Sequence, residues 1–515
     1  MQLVELADVS RQVAATNRRL DKIAALAACL RRLVPEEIEI AVGYLSGEIR
    51  QSKLGVGSAA IMGARATPEA ASSTLTLMDV DNALALIART SGAGSTTERK
   101  RLLGELLVNA TEHEQEFLVR LLFGELRQGA LEGVMADAIA QAAQIPVREV
   151  RRASMLAGGL ASVARVALTE GSSGLQRFTL QVFQPVLPML AQPASDVKDA
   201  LQQLGTAALE WKIDGARIQL HKSGDEVRVY SRALNDVTAA VPEIVEQARG
   251  LPVRTLILDG ETIALQSNGR PQPFQVTMRR FGRRLNVDHM RQELPLSGFF
   301  FDCLRSGEQD LIDLPASERF SVLSAACPSE LVIPRLVTAD VVSAQAFLNE
   351  ALARGHEGIM AKSLDAPYEA GGRGSSWLKV KQAHTLDLVI LAAEWGTGRR
   401  RGWLSNLHLG ARDADGGFVM LGKTFKGLTD EMLAWQTEAL LALEAKRDEY
   451  TVYVRPELVV EIAVNEIQES PQYPGGLALR FARVKRYRTD KHPEDADTIE
   501  TVRKLFAGHG ARIEG

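Results

Sequence analysis

Ten charged side chains recur between residues 210 and 381, on or beside segments where apolar and polar residues alternate. They are Glu210, Lys212, Asp214, Arg217, Arg232, Glu261, Glu357, Lys362, Lys379 and Lys381. One charge on a strand is commonly a solvated edge; ten interleaved with apolar positions predict a polar cleft lined by strand ends. Carboxylates bind hard divalent cations, while lysines and arginines neutralise phosphate oxygens, so the mixture suits a metal–phosphate complex. Lys212, in "EWKIDGARIQLHK", stands out. The chain holds 45 arginines and 15 lysines, so a lysine here is the less expected cation. A nucleophile must shed its proton, which guanidinium does not do. The alternative for Lys212 is an ordinary surface charge beside a turn.

The segments that must position these groups change along the chain. From residue 1 to about 185, Ala, Leu, Glu and Arg at helical spacing predict packed amphipathic helices, as in "EQEFLVRLLFGELRQGALEGVMADAIAQAA". Gly124 and Gly129 flank Leu126 and Arg127 as a tight interhelical turn would. "FQPVLPMLAQPAS" then brings in Pro185, Pro188 and Pro193, an extended connector. Beyond it the period falls to two, as in "ARIQLHKSGDEVRVYSR". Residues 186–390 read as an α+β domain with helices near 241–249, 315–326 and 342–354, and "LDLVILAAEWG" as a late strand of it. Residues 391–515 carry mostly short strands and suit a small β-barrel.

A length of 515 residues suits two to four domains, and 46% hydrophobic with 24% charged residues is ordinary for a globular protein. No apolar run approaches the roughly 20 residues that span a bilayer. The start, "MQLVELADVSRQV", has no signal pattern, so a cytoplasmic protein is expected. Cys29, Cys303 and Cys327 are far apart and read as reduced, buried thiols. The net charge of −4 gives no global sign of nucleic acid. Basic clusters in "MRRFGRRLNVDHMR", "GTGRRRGW" and "RFARVKRYRTDK" offer local phosphate-binding surfaces, with solvated faces the alternative.

Taken in order, "KIDGAR", "SRALND", "LDGE", "FFFDCL", "EGIMAK", "WLKVK" and "RYRTDK" resemble the serial motifs of the ATP-dependent DNA ligases, within the covalent nucleotidyltransferase superfamily. "RLLFGELRQGALE" and "PVLPMLAQPA" resemble that family's helical domain and its exit; "GKTFKGLTDE" and "EIQESPQYPGGLALRFARV" resemble its OB-fold. The resemblance implies an all-α DNA-binding domain (1–185), an α+β nucleotidyltransferase (ATP-grasp-like adenylation) domain (186–390) and a C-terminal β-barrel OB-fold (391–515). It further implies ATP as AMP donor, Mg2+ (or Mn2+), and nicked double-stranded DNA bound by a monomer that encircles it. Such an enzyme would serve replication, repair or recombination beside the nucleoid; no clear sliding-clamp motif is present.

Site roles follow from the same resemblance. Lys212 is implied as the adenylated nucleophile, with Asp214 aiding metal or 3′-end positioning. Glu210 resembles the adenine-reading carboxylate and Phe301 the aromatic stacked on adenine, leaving Phe299 and Phe300 as core. Glu261 matches a ribose or metal contact and Glu357 a metal-facing carboxylate. Arg217 and Arg232 resemble ribose and phosphate contacts. Lys379 and Lys381, with Arg373 and Lys362 nearby, would hold the α-phosphate. Arg488, Asp490 and Lys491 would orient the departing pyrophosphate, and Arg127 between Gly124 and Gly129 would approach a minor groove. An unperturbed lysine has a pKa of ~10.4, so Lys212 needs cations such as Lys379 and Lys381, a metal or desolvation to become neutral. An RNA ligase or GTP-using capping enzyme shares the lysine motif, but the long helical segment favours duplex DNA. A non-catalytic DNA-binding scaffold would not need the full motif set. An NAD-dependent ligase is disfavoured, because three scattered cysteines cannot form a four-cysteine zinc site.

Overall fold

The computed structural model describes residues 1–51, 54–65, 69–124, 126, 132–282, 287–369, 375–381, 384–397, 400–464 and 466–510. Among them, ten helices lie between Leu3 and Leu175. Their starts follow local chemistry. Thr76 and Thr111 accept from the backbone N–H of Asp79 (3.2 Å) and Glu114 (3.4 Å), and those carboxylates accept from the threonine N–H groups at 2.9 Å. In Leu77–Arg89 the buried residues Leu77, Val80, Leu84 and Ile87 form the stripe that a 3.6-residue period produces. Gly124, at φ 67°, follows helix Glu112–Leu122 in the left-handed conformation that ends helices well. Its expected companions, Arg127 and Gly129, lie outside the described residues. No described helix is long and apolar enough to cross a membrane.

The proline-rich connector docks on the next domain along its length. The N–H groups of Phe183 and Val186 donate to His221 Nδ1 (2.9 Å) and Gln219 Oε1 (2.8 Å), and Arg217 donates to the Met189 carbonyl at 2.6 Å. Met155 and Leu156 of the helical part pack with Val186 and Met189, and Arg152 makes a two-bond ion pair with Asp313.

Strands β1 (Gln192–Pro193), β2 (Ala207–Lys212), β3 (Ala216–Ser223), β4 (Glu226–Ser231), β5 (Thr255–Ala264), β6 (Leu296–Ser306), β7 (Gln309–Asp310), β8 (Arg335–Thr338), β9 (Gly358–Ser363) and β10 (Trp377–Lys381) build two sheets. One has the order β1-β10-β9-β2-β8, the other β4-β3-β5-β6-β7. In the first, Leu209, Ile359, Ala361, Leu378 and Val380 pack on helices Val197–Leu204 and Val341–Ala353. Alternation then sends Glu210, Lys212, Met360, Lys362, Lys379 and Lys381 to the opposite face. In the second, Ile218, Leu220, Leu258 and Phe300 share a core with helices Pro242–Arg249 and Ala316–Ala326.

The remaining strands are β11 (His384–Trp395), β12 (Leu404–Arg412), β13 (Phe418–Thr424), β14 (Glu444–Arg447), β15 (Thr451–Val454), β16 (Val459–Val464), β17 (Glu466–Glu469), β18 (Leu477–Arg480) and β19 (Arg483–Tyr487). One edge of β11 pairs with β12; its other edge pairs with β16 in its first half and β15 in its second. That splitting curls the sheet around a core of its own. The segment read as a late strand of the α+β domain therefore belongs to the C-terminal domain, and a division at 390 runs through β11. Alternation marked it as a strand, but its partners come later in the chain and local pattern does not name them. The β17–β18 hairpin meets helix Phe274–Phe281: Gln275 donates to Gln468 at 2.9 Å, and the Arg480 guanidinium lies 4.9 Å from the Phe274 ring centre. Cys29, Cys303 and Cys327 are free and buried.

Candidate active site

Strand register orders the polar face of the first sheet into three rows. Across β2, β9 and β10 these are Lys212–Gly358–Lys381, Glu210–Met360–Lys379 and Ala208–Lys362–Trp377. Two glycines let the chain close up here. A Cβ at Gly215, between β2 and β3, would overlap the Thr262 carbonyl, and one at Gly358, at φ 148°, would overlap that of Val380.

Glu357, just before β9, joins the first row. Its two carboxylate oxygens pair with Lys212 and Lys381, and its N–H donates to the Lys212 carbonyl at 3.1 Å. Oε2 faces Lys212 in charge contact but outside hydrogen-bond geometry. The Lys212 side chain keeps only 21% of its exposure. Burial pushes its ammonium down, Glu261 and Asp214 pull it back up, and Arg232 adds to the depression. Burial and Arg232 thus take the part expected of Lys379 and Lys381; Lys381 is tied to Glu357 instead. Glu261 stands on β5 between Arg217 and Phe299. Burial pushes its carboxyl up to about 7, against the pull of Lys212 and Arg217. Asp214 is half-buried in the β2–β3 connection, and Arg232 is exposed just past β4.

The second and third rows meet at Glu210, whose carboxylate is 2% exposed. Lys362 donates to Oε2 at 2.6 Å, while Oε1 has no hydrogen-bond partner among the described residues and lies 4.0 Å from Arg335. Burial pushes this carboxyl up; Lys362 and Arg335 oppose it. Lys362 was expected beside the α-phosphate. The register instead sets it two rows from Lys212, buried, with its ammonium over the rings of Trp377 (4.2 Å) and Phe301 (4.5 Å).

Phe301 owes its orientation to a bulge. Asp259 pairs with Asp302 and Gly260 with Phe300, so Phe301 is the extra residue of β6, turned toward Trp377 at 5.9 Å between ring centres. Phe300 is core, as expected. Phe299 also packs, on the other face: half-buried opposite Glu261, it lies against a smaller core of Ile213, Ile263 and Ile333.

Arg217 is bound more tightly than a free phosphate contact would be. It makes a two-bond ion pair with Asp259 at 3.0 and 2.6 Å, and its carbon lies 5.5 Å from the Phe301 ring centre. Tyr368 donates to Asp259 at 2.7 Å and accepts from the Met189 N–H at 3.3 Å. Asp259, Tyr368, Arg335 and Trp377 are the site neighbours that motif reading passed over. Asp259 and Trp377 had a signal, since they stand inside "LDGE" and "WLKVK", and Asp259 lies two residues before Glu261 on the same strand face.

Arg488 and Lys491 form a separate group in the C-terminal domain. Both donate to Asp387 Oδ2, at 2.8 and 2.7 Å, and Arg488 also makes a two-bond pair with Asp490. The structure does not bring them together with Lys212. Arg373 lies outside the described residues. The basic cluster at 278–291 is partly internal: Arg280 is fully buried and binds Glu243 through both carboxylate oxygens.

Three family models match the chain: DNA ligase N terminus over residues 62–140, ATP dependent DNA ligase domain over 188–381, and ATP dependent DNA ligase C terminal region over 400–491. A protein named "Probable DNA ligase" from Anaeromyxobacter sp. (strain Fw109-5) is 61% identical over 518 residues, covering 100% of both chains. One of the same name from Mycolicibacterium gilvum is 56% identical over 98% of this chain and 99% of its own. A solved structure named "Pmar-Lig_Pre." shares the fold at a TM-score of 0.62 and 18% identity, covering 94% of this chain and 99% of that one. The chain belongs to the ATP-dependent DNA ligases, a family of enzymes whose general reaction is the sealing of nicks in DNA with ATP.

Proposed function

We propose that Lys212 carries this reaction as its nucleophile. The supporting observation is its setting: a buried amine at a strand end, its charge opposed by burial, beside Glu357, Glu261 and Asp214. The Lys212 Nζ lone pair attacks the α-phosphorus of ATP, the bond to pyrophosphate breaks, and the amine proton is lost, leaving lysyl-AMP. The 5′-phosphate of a nick then displaces Lys212 from AMP, and the 3′-hydroxyl displaces AMP to close the backbone. Positioning and charge neutralisation dominate each displacement.

Glu210 accepts from the adenine amine through its unpartnered Oε1, and Phe301 stacks on the base, steered by its bulge. Arg217 and Arg232 serve the ribose and phosphate side. Lys379 and Lys381 hold phosphate oxygens, together with Arg373. Arg488, Asp490 and Lys491 act on pyrophosphate, which requires the C-terminal domain to close over the cleft. Magnesium or manganese suits Glu261 and Glu357, with Asp214 nearby. Two carboxylates do not fill a magnesium shell, so water and phosphate oxygens would complete it. Bound there, it would neutralise carboxylates that hold the Lys212 proton and the phosphate charge that the amine must approach. The working unit is a monomer around the duplex, its helical domain bearing on phosphates and groove shape. Incubation of the purified chain with singly nicked duplex DNA, ATP and magnesium should close the nick; an intact nick after lengthy incubation would overturn this reading.

A further inference from the structure

Lys362 has the wrong place for a phosphate ligand and the right one for another task. Four residues of strand separate its row from that of Lys212, roughly 13 Å at the usual rise per residue. Its ammonium is enclosed by Glu210, the Phe301 carbonyl (3.3 Å) and two aromatic rings, and its side chain is 5% exposed. Its strongest partner is the carboxylate whose other oxygen is left without one.

The charge of that carboxylate decides what base it can read. Ionised, it only accepts, which suits the 6-amino group of adenine and repels a 6-oxo group. Protonated, it can donate to a 6-oxo group instead. The charged groups facing Glu210 are Lys362 from β9, Arg335 from β8 and Asp302 from β6. Arg335 stands farther off and stacks on Phe320, while Asp302 is engaged by Arg319 at 2.8 and 2.9 Å. Lys362 is therefore the cation that hydrogen-bonds Glu210.

We propose that Lys362 sets the base preference of this site: by its bond to Glu210 Oε2 it keeps that carboxylate an acceptor, so the pocket takes a 6-amino purine and excludes a 6-oxo purine. This rests on the reading of Glu210 as the base-contacting group. Lys362 is a positioning residue, acting through Glu210 and not on phosphate.

The test measures covalent labelling of the enzyme by ATP and by inosine triphosphate, whose base carries a 6-oxo group, and takes the ratio of their kcat/KM values. In Lys362→Met the ATP preference should fall about 10- to 100-fold, since a buried polar mismatch is worth that much; in Lys362→Arg, which keeps the cation, most of it should return. A Lys362→Met enzyme that slows equally with both nucleotides would overturn the proposal. So would loss of preference in Lys362→Arg at unchanged melting temperature, because shape and not charge would then decide. Glu210→Gln separates the two levels and reports even if Lys362→Met does not fold. Its amide can donate to a 6-oxo group, so its preference should also fall. An unchanged ratio in Glu210→Gln would overturn the reading of Glu210 and this proposal with it. A fall there with none in the Lys362 variants would overturn this proposal alone.

Discussion

In the cleft, Lys212 and Lys381 take one oxygen each of a shared carboxylate, Glu357; in the C-terminal domain, Arg488 and Lys491 share a single oxygen of Asp387. The two groups have similar composition and opposite physics. Burial acts against charge at Lys212 and lifts Glu261 to about 7, so protonation there is open to change by a ligand. At the other group, hydrogen bonds act with charge. The Asp490 carboxylate holds Arg488 above its ordinary value, and Arg488 holds Asp490 below its own. Charged clusters are common in both reactive sites and ion-pair networks; what separates these two is whether burial or hydrogen bonding dominates at their charged groups.

The largest effect should come from unbalancing the cleft. Glu357→Gln leaves Lys212 and Lys381 without their shared carboxylate and should slow lysyl-AMP formation by about 100-fold or more, the scale on which single electrostatic groups act in enclosed sites. A rate within a factor of a few of the parent, measured with labelled ATP, would erase the distinction between the two groups.

A pH experiment should show a smaller effect. The Glu261 carboxyl is raised in the folded chain from 4.5 to about 7, so its contribution to stability is full below the lower value and lost as pH rises through the upper one. A divalent cation bound at Glu261, as proposed above, would relieve that loss. Magnesium should therefore raise the melting temperature more at pH 8 than at pH 5, and Glu261→Gln should remove the difference. Equal shifts at both pH values in the parent protein would contradict the burial argument.

The smallest effect should follow from Asp387→Asn. Arg488 keeps Asp490, so the cost should be about 1 kcal/mol of C-terminal domain stability, typical of a pair with neighbours in reserve. Transfer from preformed lysyl-AMP to a nick should keep its rate. A large loss in that step would move the C-terminal group into the chemistry of joining.

Much of this architecture was legible because strand alternation is local. The spacing of Glu210 and Lys212, or of Lys379 and Lys381, already put each pair on one sheet face, and the helices at 241–249, 315–326 and 342–354 lie where periodicity puts them. Partners supplied by distant segments were not legible. Arg217 meets Asp259, Tyr368 and the Met189 carbonyl from three separate stretches, and Lys362 meets Glu210 only because β9 lies beside β2 in that register. Phe299 and Phe301 differ from Phe300 through alternation, but the bulge that turns Phe301 appears only once β5 is alongside. Membership of β11 in the C-terminal domain has the same cause.

The central claim is that Lys212 becomes covalently attached to AMP. Purified protein incubated with α-labelled ATP and magnesium, then digested and mapped by mass spectrometry, should carry label on the peptide containing Lys212. Lys212→Ala should carry none, while its melting temperature stays near that of the parent. Label persisting in Lys212→Ala, or mapping to another lysine in the parent protein, would contradict the account.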